Sequence, residues 1–177
     1  MPKTITKEYV VYDLEDLKKD DELCDRIYQK FWIDSPNNIN SWADENIDSF
    51  KKFAEIVNMP LDFSLSNAEY PDRSCYIRLD SSNYDYVAPR ERQNYIATRI
   101  RDYSGNGYCV CEDLRIYADK LLEEWHKDYS IHDFTTDIQH RMWELWFQDN
   151  QYYFSKESFL NMVEGNEWEF CENGSLA

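Results

Sequence analysis

Two alternating runs, Asp62-Phe63-Ser64-Leu65-Ser66 and Cys75-Tyr76-Ile77-Arg78-Leu79, decide the fold. Period-two alternation of apolar and polar side chains marks a strand with one face buried. The stretch 67–74 between them holds Pro71 and Asp72 and suits a hairpin loop. A hairpin implies antiparallel pairing, and helical patterns flank it on both sides. Upstream, residues 41–57 carry Trp42, Ile47, Phe50, Phe53, Ala54 and Val57 at helical spacing, and Asn58-Met59-Pro60 ends the run. Downstream, Pro89 suits the first turn of a helix to residue 103, with Tyr95, Ile96, Ile100 and Tyr103 on one side. Ser104-Gly105-Asn106-Gly107 then breaks the chain.

The same periodicities extend to both ends. Residues 8–13, Glu-Tyr-Val-Val-Tyr-Asp, read as a first strand. Residues 14–33 read as one helix, stopped by Ser35-Pro36-Asn37-Asn38. A helix is expected over 112–127 on Leu114, Ala118, Leu121 and Trp125, and a ring-rich one over 134–154. Ser155 can cap a short helix to 164, with Gly165 ending it, and residues 167–171 alternate as a last strand. No regular βαβ rhythm links these elements. The expectation is therefore one α+β domain over 1–177: a small antiparallel sheet of about four strands against five or six helices.

Composition supports a folded chain. Low mean hydropathy, -0.79, with high net charge usually signals disorder. Here 6 Trp, 14 Tyr and 9 Phe supply apolar area, while Gly is only 4 and Pro only 5. No run approaches the roughly 20 apolar residues of a membrane span, and Met1-Pro2-Lys3-Thr4 runs straight into strand-like sequence. Five scattered cysteines, Cys24, Cys75, Cys109, Cys111 and Cys171, suggest reduced thiols. A cytoplasmic protein is the resulting expectation.

Lys and Arg total 19 against 35 Asp and Glu, a net charge of -16. Such a balance disfavours direct binding of duplex DNA or of an anionic membrane, both of which need cationic side chains. The excess concentrates after residue 110, where 15 acids face 5 bases. Its densest piece is Glu112, Asp113, Asp119, Glu123, Glu124 and Asp128, spread over roughly 24 Å if helical throughout. Phosphates recur every ~3.4 Å along a DNA strand, so one helix cannot copy that density. It could still occupy a basic groove built for a nucleic-acid backbone. The plainer alternative is a solvated helix face that maintains solubility. A magnitude of 16 nevertheless exceeds the ~2–8 that suffices for solubility.

Six of the nine arginines (Arg73, Arg78, Arg90, Arg92, Arg99 and Arg101) fall in the middle segment, residues 61–110. They either pair internally with the acidic helices or form a basic spot for guide RNA or for the acidic face of a second copy, as in a homodimer.

Catalytic and metal chemistry finds little support. Cys109-x-Cys111 with His126, His132 and His140 departs from the zinc pattern of C-x(2–4)-C followed by H-x(3–5)-H. No nucleophile elbow, P-loop or dinucleotide glycine pattern is present. Glu167 and Glu169 would share a strand face as paired acids, although a solvated face explains them as well. Trp143, Trp146 and Phe147 could stack bases, but acidic neighbours favour a core role. No catalytic residue, metal or cofactor is expected.

Several motifs, in order, resemble a known group. They are Tyr9-Val10-Val11-Tyr12-Asp13-Leu14-Glu15-Asp16-Leu17, Ser49-Phe50-Lys51-Lys52-Phe53-Ala54, Gly107-Tyr108-Cys109-Val110-Cys111-Glu112-Asp113-Leu114 and Asn166-Glu167-Trp168-Glu169-Phe170-Cys171-Glu172-Asn173-Gly174. Together they resemble a family of small acidic phage and mobile-element proteins that includes type II-A anti-CRISPR proteins, inhibitors of RNA-guided DNA endonucleases. The resemblance implies a stoichiometric inhibitor whose partner is a CRISPR effector nuclease with its guide RNA, and it brings no catalytic residues. Two other functions stay open: an antirestriction or antitoxin-like protein neutralising another basic nucleic-acid enzyme, and a small metal-dependent hydrolase.

Overall fold

A computed structural model describes residues 10–34, 41–65, 73–104 and 112–177, with side chains described from residue 45 and up to residue 103 in the helices that begin at Ser41 and end at Ser104. The fold is α+β. Among the described residues it comprises β1 (Val11–Tyr12), α1 (Leu14–Lys19), α2 (Asp21–Ile27), a π-helical stretch (Tyr28–Ile33), α3 (Ser41–Ile56), β2 (Leu61–Ser64), β3 (Tyr76–Leu79), a 3-10 turn (Ser82–Tyr84), α4 (Pro89–Ser104), α5 (Glu112–Glu123), α6 (Ile131–Tyr153), α7 (Lys156–Asn166) and β4 (Phe170–Cys171). By packing, the chain divides into two compact units: residues 1–39 with 151–177, and residues 40–150.

The four expected strands form two separate antiparallel pairs in place of one sheet. In the first unit Val11 lies opposite Cys171 and Tyr12 opposite Phe170. In the second, the expected hairpin forms with Leu61 opposite Leu79 and Ser64 opposite Tyr76. The first and last strands are two residues each, too short to extend a ladder.

The terminal unit corrects the single helix expected over 14–33. Asp20 leaves the helical region (φ -125°, ψ 99°) and its side chain accepts from the Leu23 amide at 3.0 Å. It thereby caps α2 and ends α1. Asp13 and Asp16 form a reciprocal capping box at the start of α1. After Ile27 the backbone widens, and the Asp34 amide bonds to the Gln29 carbonyl, five residues back. The widened turn presents Tyr28, Phe31 and Trp32. The Trp32 indole donates to the Tyr153 carbonyl at 2.8 Å, and the Tyr28 hydroxyl donates to the Phe154 carbonyl. Both acceptors lie where α6 ends, a place where helical carbonyls run out of intrahelical donors. Around them Leu17, Leu23, Ile27, Phe159, Val163 and Phe170 complete a core rich in rings.

Ser155 caps α7 as expected, accepting from the Ser158 amide at 3.1 Å. Gly165 does not end the helix. It lies inside α7, and Glu167 takes the left-handed cap position (φ 52°, ψ 41°). Glu167 and Glu169 therefore do not share a strand face, because β4 starts only at Phe170. Past it, Gly174 adopts φ 82°, and the Ala177 amide returns to the Glu169 carbonyl at 2.9 Å.

The central unit packs α3, α4, α5 and α6 around Phe50, Phe53, Ile96, Leu114, Phe134, Ile138, Met142 and Trp146, all nearly or fully buried. Each such ring contributes on the order of 1.5–3 kcal/mol by burial. Trp146 is wholly inside and Trp143 packs against the same core, whereas Phe147 is 39% exposed. Asn58, in the left-handed region at φ 56°, ends α3, and the Met59 amide bonds back to the Ala54 carbonyl at 2.9 Å. Polar links join the elements: Gln139 of α6 accepts from the Leu79 amide at 2.6 Å, and Gln93 donates to the Leu122 carbonyl at 2.6 Å. Helix α6 starts at Ile131, three residues before the expected point, because Ser130 and Asp133 cap it reciprocally.

The misplaced glycine makes a paired prediction. A β-carbon at Gly165 meets nothing within 4 Å, so Gly165→Ala should stabilise the fold by about 0.5–1 kcal/mol. Glu167→Gly should relieve the left-handed strain and also stabilise, by about 0.5–1 kcal/mol. Urea midpoints test both; a lower midpoint for Glu167→Gly would contradict the cap geometry.

Candidate partner-binding surface

Helix α5 is shorter than the sequence suggests. Glu112 to Glu123 covers about 17 Å of axis. Glu124 lies in the following turn, and Asp128 lies beyond it, its amide donating to His126 Nδ1 at 3.2 Å. The cause is packing: Leu114, Ala118, Leu121 and Leu122 face the core, while Trp125 turns in against Tyr129 and Phe134.

The six acidic residues do not form one stripe. Glu112 and Glu123 point outward with Ile116, which is 56% exposed at the centre of that face. Asp119 and Glu123 line a groove of about 500 Å3 shared with Gln93, Asn94 and Ala97 of α4. Asp113 and Glu124 lie on the side toward α6. There the structure adds Asp137 and Glu144, whose charges, like that of Glu124, act on the Tyr117 hydroxyl. Burial first, and then Asp137 and Glu144, raise Tyr117 above the ordinary phenol value.

Half of the acidic set is ion-paired within the fold. Arg141 donates to Asp113 through Nε at 2.9 Å and Nη2 at 2.5 Å, and to Glu144 through Nη1 at 3.1 Å. Its guanidinium lies 5.7 Å from the Tyr117 ring centre. The bond to Asp113 is the main reason its pKa rises. Arg115 spans Asp119 at 3.3 Å and Glu112 at 3.6 Å. Among the described residues no cation pairs with Glu123, Glu124 or Asp128. The uncompensated charge thus collects at the C-terminal end of α5.

The arginines that do this are not the middle six. Arg99 donates to the Ile56 carbonyl at 2.6 Å, Arg92 donates to the Val87 carbonyl at 3.0 Å, and Arg78 stacks on Tyr76. Arg101 pairs with its neighbour Asp102 at 3.6 Å. Among the described residues none of the six forms an ion pair with an acid of α5 or α6; Arg92 and Arg99 satisfy backbone acceptors instead.

Cys109 and Cys111 lie outside the described residues. Cys24 and Cys171 are free thiols, and burial pushes the Cys24 thiol up. Among the described residues no three His, Cys, Asp or Glu side chains converge to hold a metal ion. Among the described residues no helix is long and apolar enough to cross a membrane.

With this geometry in view, comparison with protein-family models, curated proteins and solved structures finds no match to the chain.

Beside the acidic face, Tyr129 donates to Asp137 at 2.7 Å. Burial and then this bond hold its hydroxyl well above the ordinary phenol value. The folded chain keeps a proton that the unfolded chain releases near pH ~10. Its stabilisation is complete below that pH and declines as pH rises above it. Wild type should therefore lose stability relative to Tyr129→Phe as pH rises above about 10. Parallel pH curves in denaturant melts would rule this out.

Proposed function

We propose that this chain is a stoichiometric protein inhibitor of an RNA-guided DNA endonuclease, an anti-CRISPR protein that occupies the enzyme's basic nucleic-acid-binding surface and blocks DNA binding or cleavage. What supports the reading is the carboxylate surface of α5, α6 and the turn between them, where among the described residues Glu123, Glu124 and Asp128 have no cation partner. A cationic channel shaped for phosphates attracts such a surface at long range and accelerates encounter at low salt. Once seated, the carboxylates take the cationic partners that DNA phosphates need, and their field repels the incoming strand. The inhibitor then acts by occupancy, with no bond made or broken.

The charge partition inside the face gives the reading its detail. Glu112, Asp113 and Asp119 already share Arg115 and Arg141, so a partner's lysine or arginine gains less there than at the open end. Glu123, Glu124 and Asp128 are accordingly the strongest contact candidates among the six.

A cleavage assay with a panel of guide-loaded nucleases, the protein added before or after DNA, tests the function. Inhibition only when it is added first would place the block at DNA binding. Reversing Glu123, Glu124 and Asp128 to lysine should weaken inhibition by about tenfold or more, about 1.4 kcal/mol. Reversing Lys51 and Lys52 of α3, each already paired with an acid on its own helix, should change it little. Equal effects from the two sets would refute the contact assignment, and inhibition of a restriction endonuclease alone would move the target to that class.

A further inference from the structure

A second concave feature lies in the terminal unit, where the start of α1 meets the end of α7. It is a groove of about 230 Å3. Its floor is apolar, made by Leu14, Val163 and the Trp168 indole. That indole is held by an edge contact with Phe31 at 5.3 Å between ring centres, and it lies 6.4 Å from Trp32. Five acidic residues line the same groove, Glu164, Glu167 and Glu169 among them. Among the described residues no Lys, Arg or His pairs with any of the five. Elsewhere in this unit a carboxylate does find its cation: Lys156 reaches Asp25 at 2.6 Å.

We propose that this groove receives an arginine side chain from a protein partner, its guanidinium stacked on Trp168 and held by Glu164 and Glu169. Three properties select that occupant. The groove is too small for a helix, which is roughly 10–12 Å across, but has room for one long side chain. An indole face attracts a cation directly. Guanidinium is planar, weakly hydrated and able to bond two carboxylates at once, whereas an ammonium is a strongly hydrated point charge. An anionic or neutral occupant would meet five acidic residues without a counter-charge. The site is separate from the α5–α6 surface and does not rest on the function proposed for it.

The test uses the full chain, labelled with 15N, and the blocked tripeptide acetyl-Gly-Arg-Gly-amide. The Trp168 indole resonance, assigned with Trp168→Phe, should shift saturably, with half-saturation on the order of 1 mM. The Glu164→Gln/Glu169→Gln double variant should raise that concentration about tenfold while amide dispersion stays native. If dispersion is lost, Glu169→Gln alone decides by the same criterion. The citrulline tripeptide, isosteric but neutral, should leave Trp168 unmoved. No saturable shift, an equal response to citrulline, equal affinity for the lysine tripeptide, or indifference to the glutamine variants would each overturn the proposal.

Discussion

Thirty-five carboxylates and nineteen cations share 177 residues, so a carboxylate without a cation must be solvated, bonded to a backbone donor or repelled. The fold uses each route. Asp13, Asp20 and Asp133 cap helices, where amide donors and the helix dipole favour negative charge. Asp113, Asp119 and Glu144 share the two arginines of the α5–α6 face. Others take local partners, as Asp25 does with Lys156 and Asp137 with Tyr129. What opposes the remaining repulsion is burial of large rings, which is why a chain of such low mean hydropathy still encloses fully buried Phe50, Phe134, Trp146, Phe159 and Phe170.

Rings with polar handles do a second job in the terminal unit. A helix end leaves carbonyls without donors, and burial makes each orphan expensive. Tyr28 and Trp32 fill the core with their rings and spend their one donor each on the carbonyls of Phe154 and Tyr153. The π-helical turn is what brings both to the same place, since it carries Tyr28 and Trp32 past the ordinary α-helical phase. Packing and hydrogen bonding therefore depend on one local distortion.

Strong periodicity was legible and single-residue conformations were not. The stripe Phe50, Phe53, Ala54 and Val57 announced α3, the two alternating runs announced the hairpin, and Ser155 announced α7. The break at Asp20 could be missed because the apolar spacing continues through it; the signal was there in Asp20-Asp21-Glu22, an acid cap with acids in the next turn. Nothing in the order Tyr28-Gln29-Lys30 marks a widened turn, which tertiary packing imposes. Gly165 misled because glycine usually ends helices, whereas here the backbone asks Glu167 to do so. For the candidate surface, the acids of α5 could be read off directly. Asp137, Glu144 and Arg141 could not, since they lie on another helix and only packing brings them to Tyr117.

An acidic face that contains its own arginines differs physically from a uniformly anionic one. A uniform field attracts any cationic surface and discriminates poorly. Arg115 and Arg141 consume the carboxylates nearest them, and each would repel a partner's cation placed beside it. The exposed Ile116 adds an apolar point amid the charges, one that a hydrated polycation cannot use. A surface of this kind accepts a cationic partner only when the partner's positive groups fall at the open end of α5, toward Glu123, Glu124 and Asp128, and its apolar groups fall at Ile116. Long-range attraction would then govern how fast the partner arrives, while this pattern of occupied and open carboxylates would govern which partner stays.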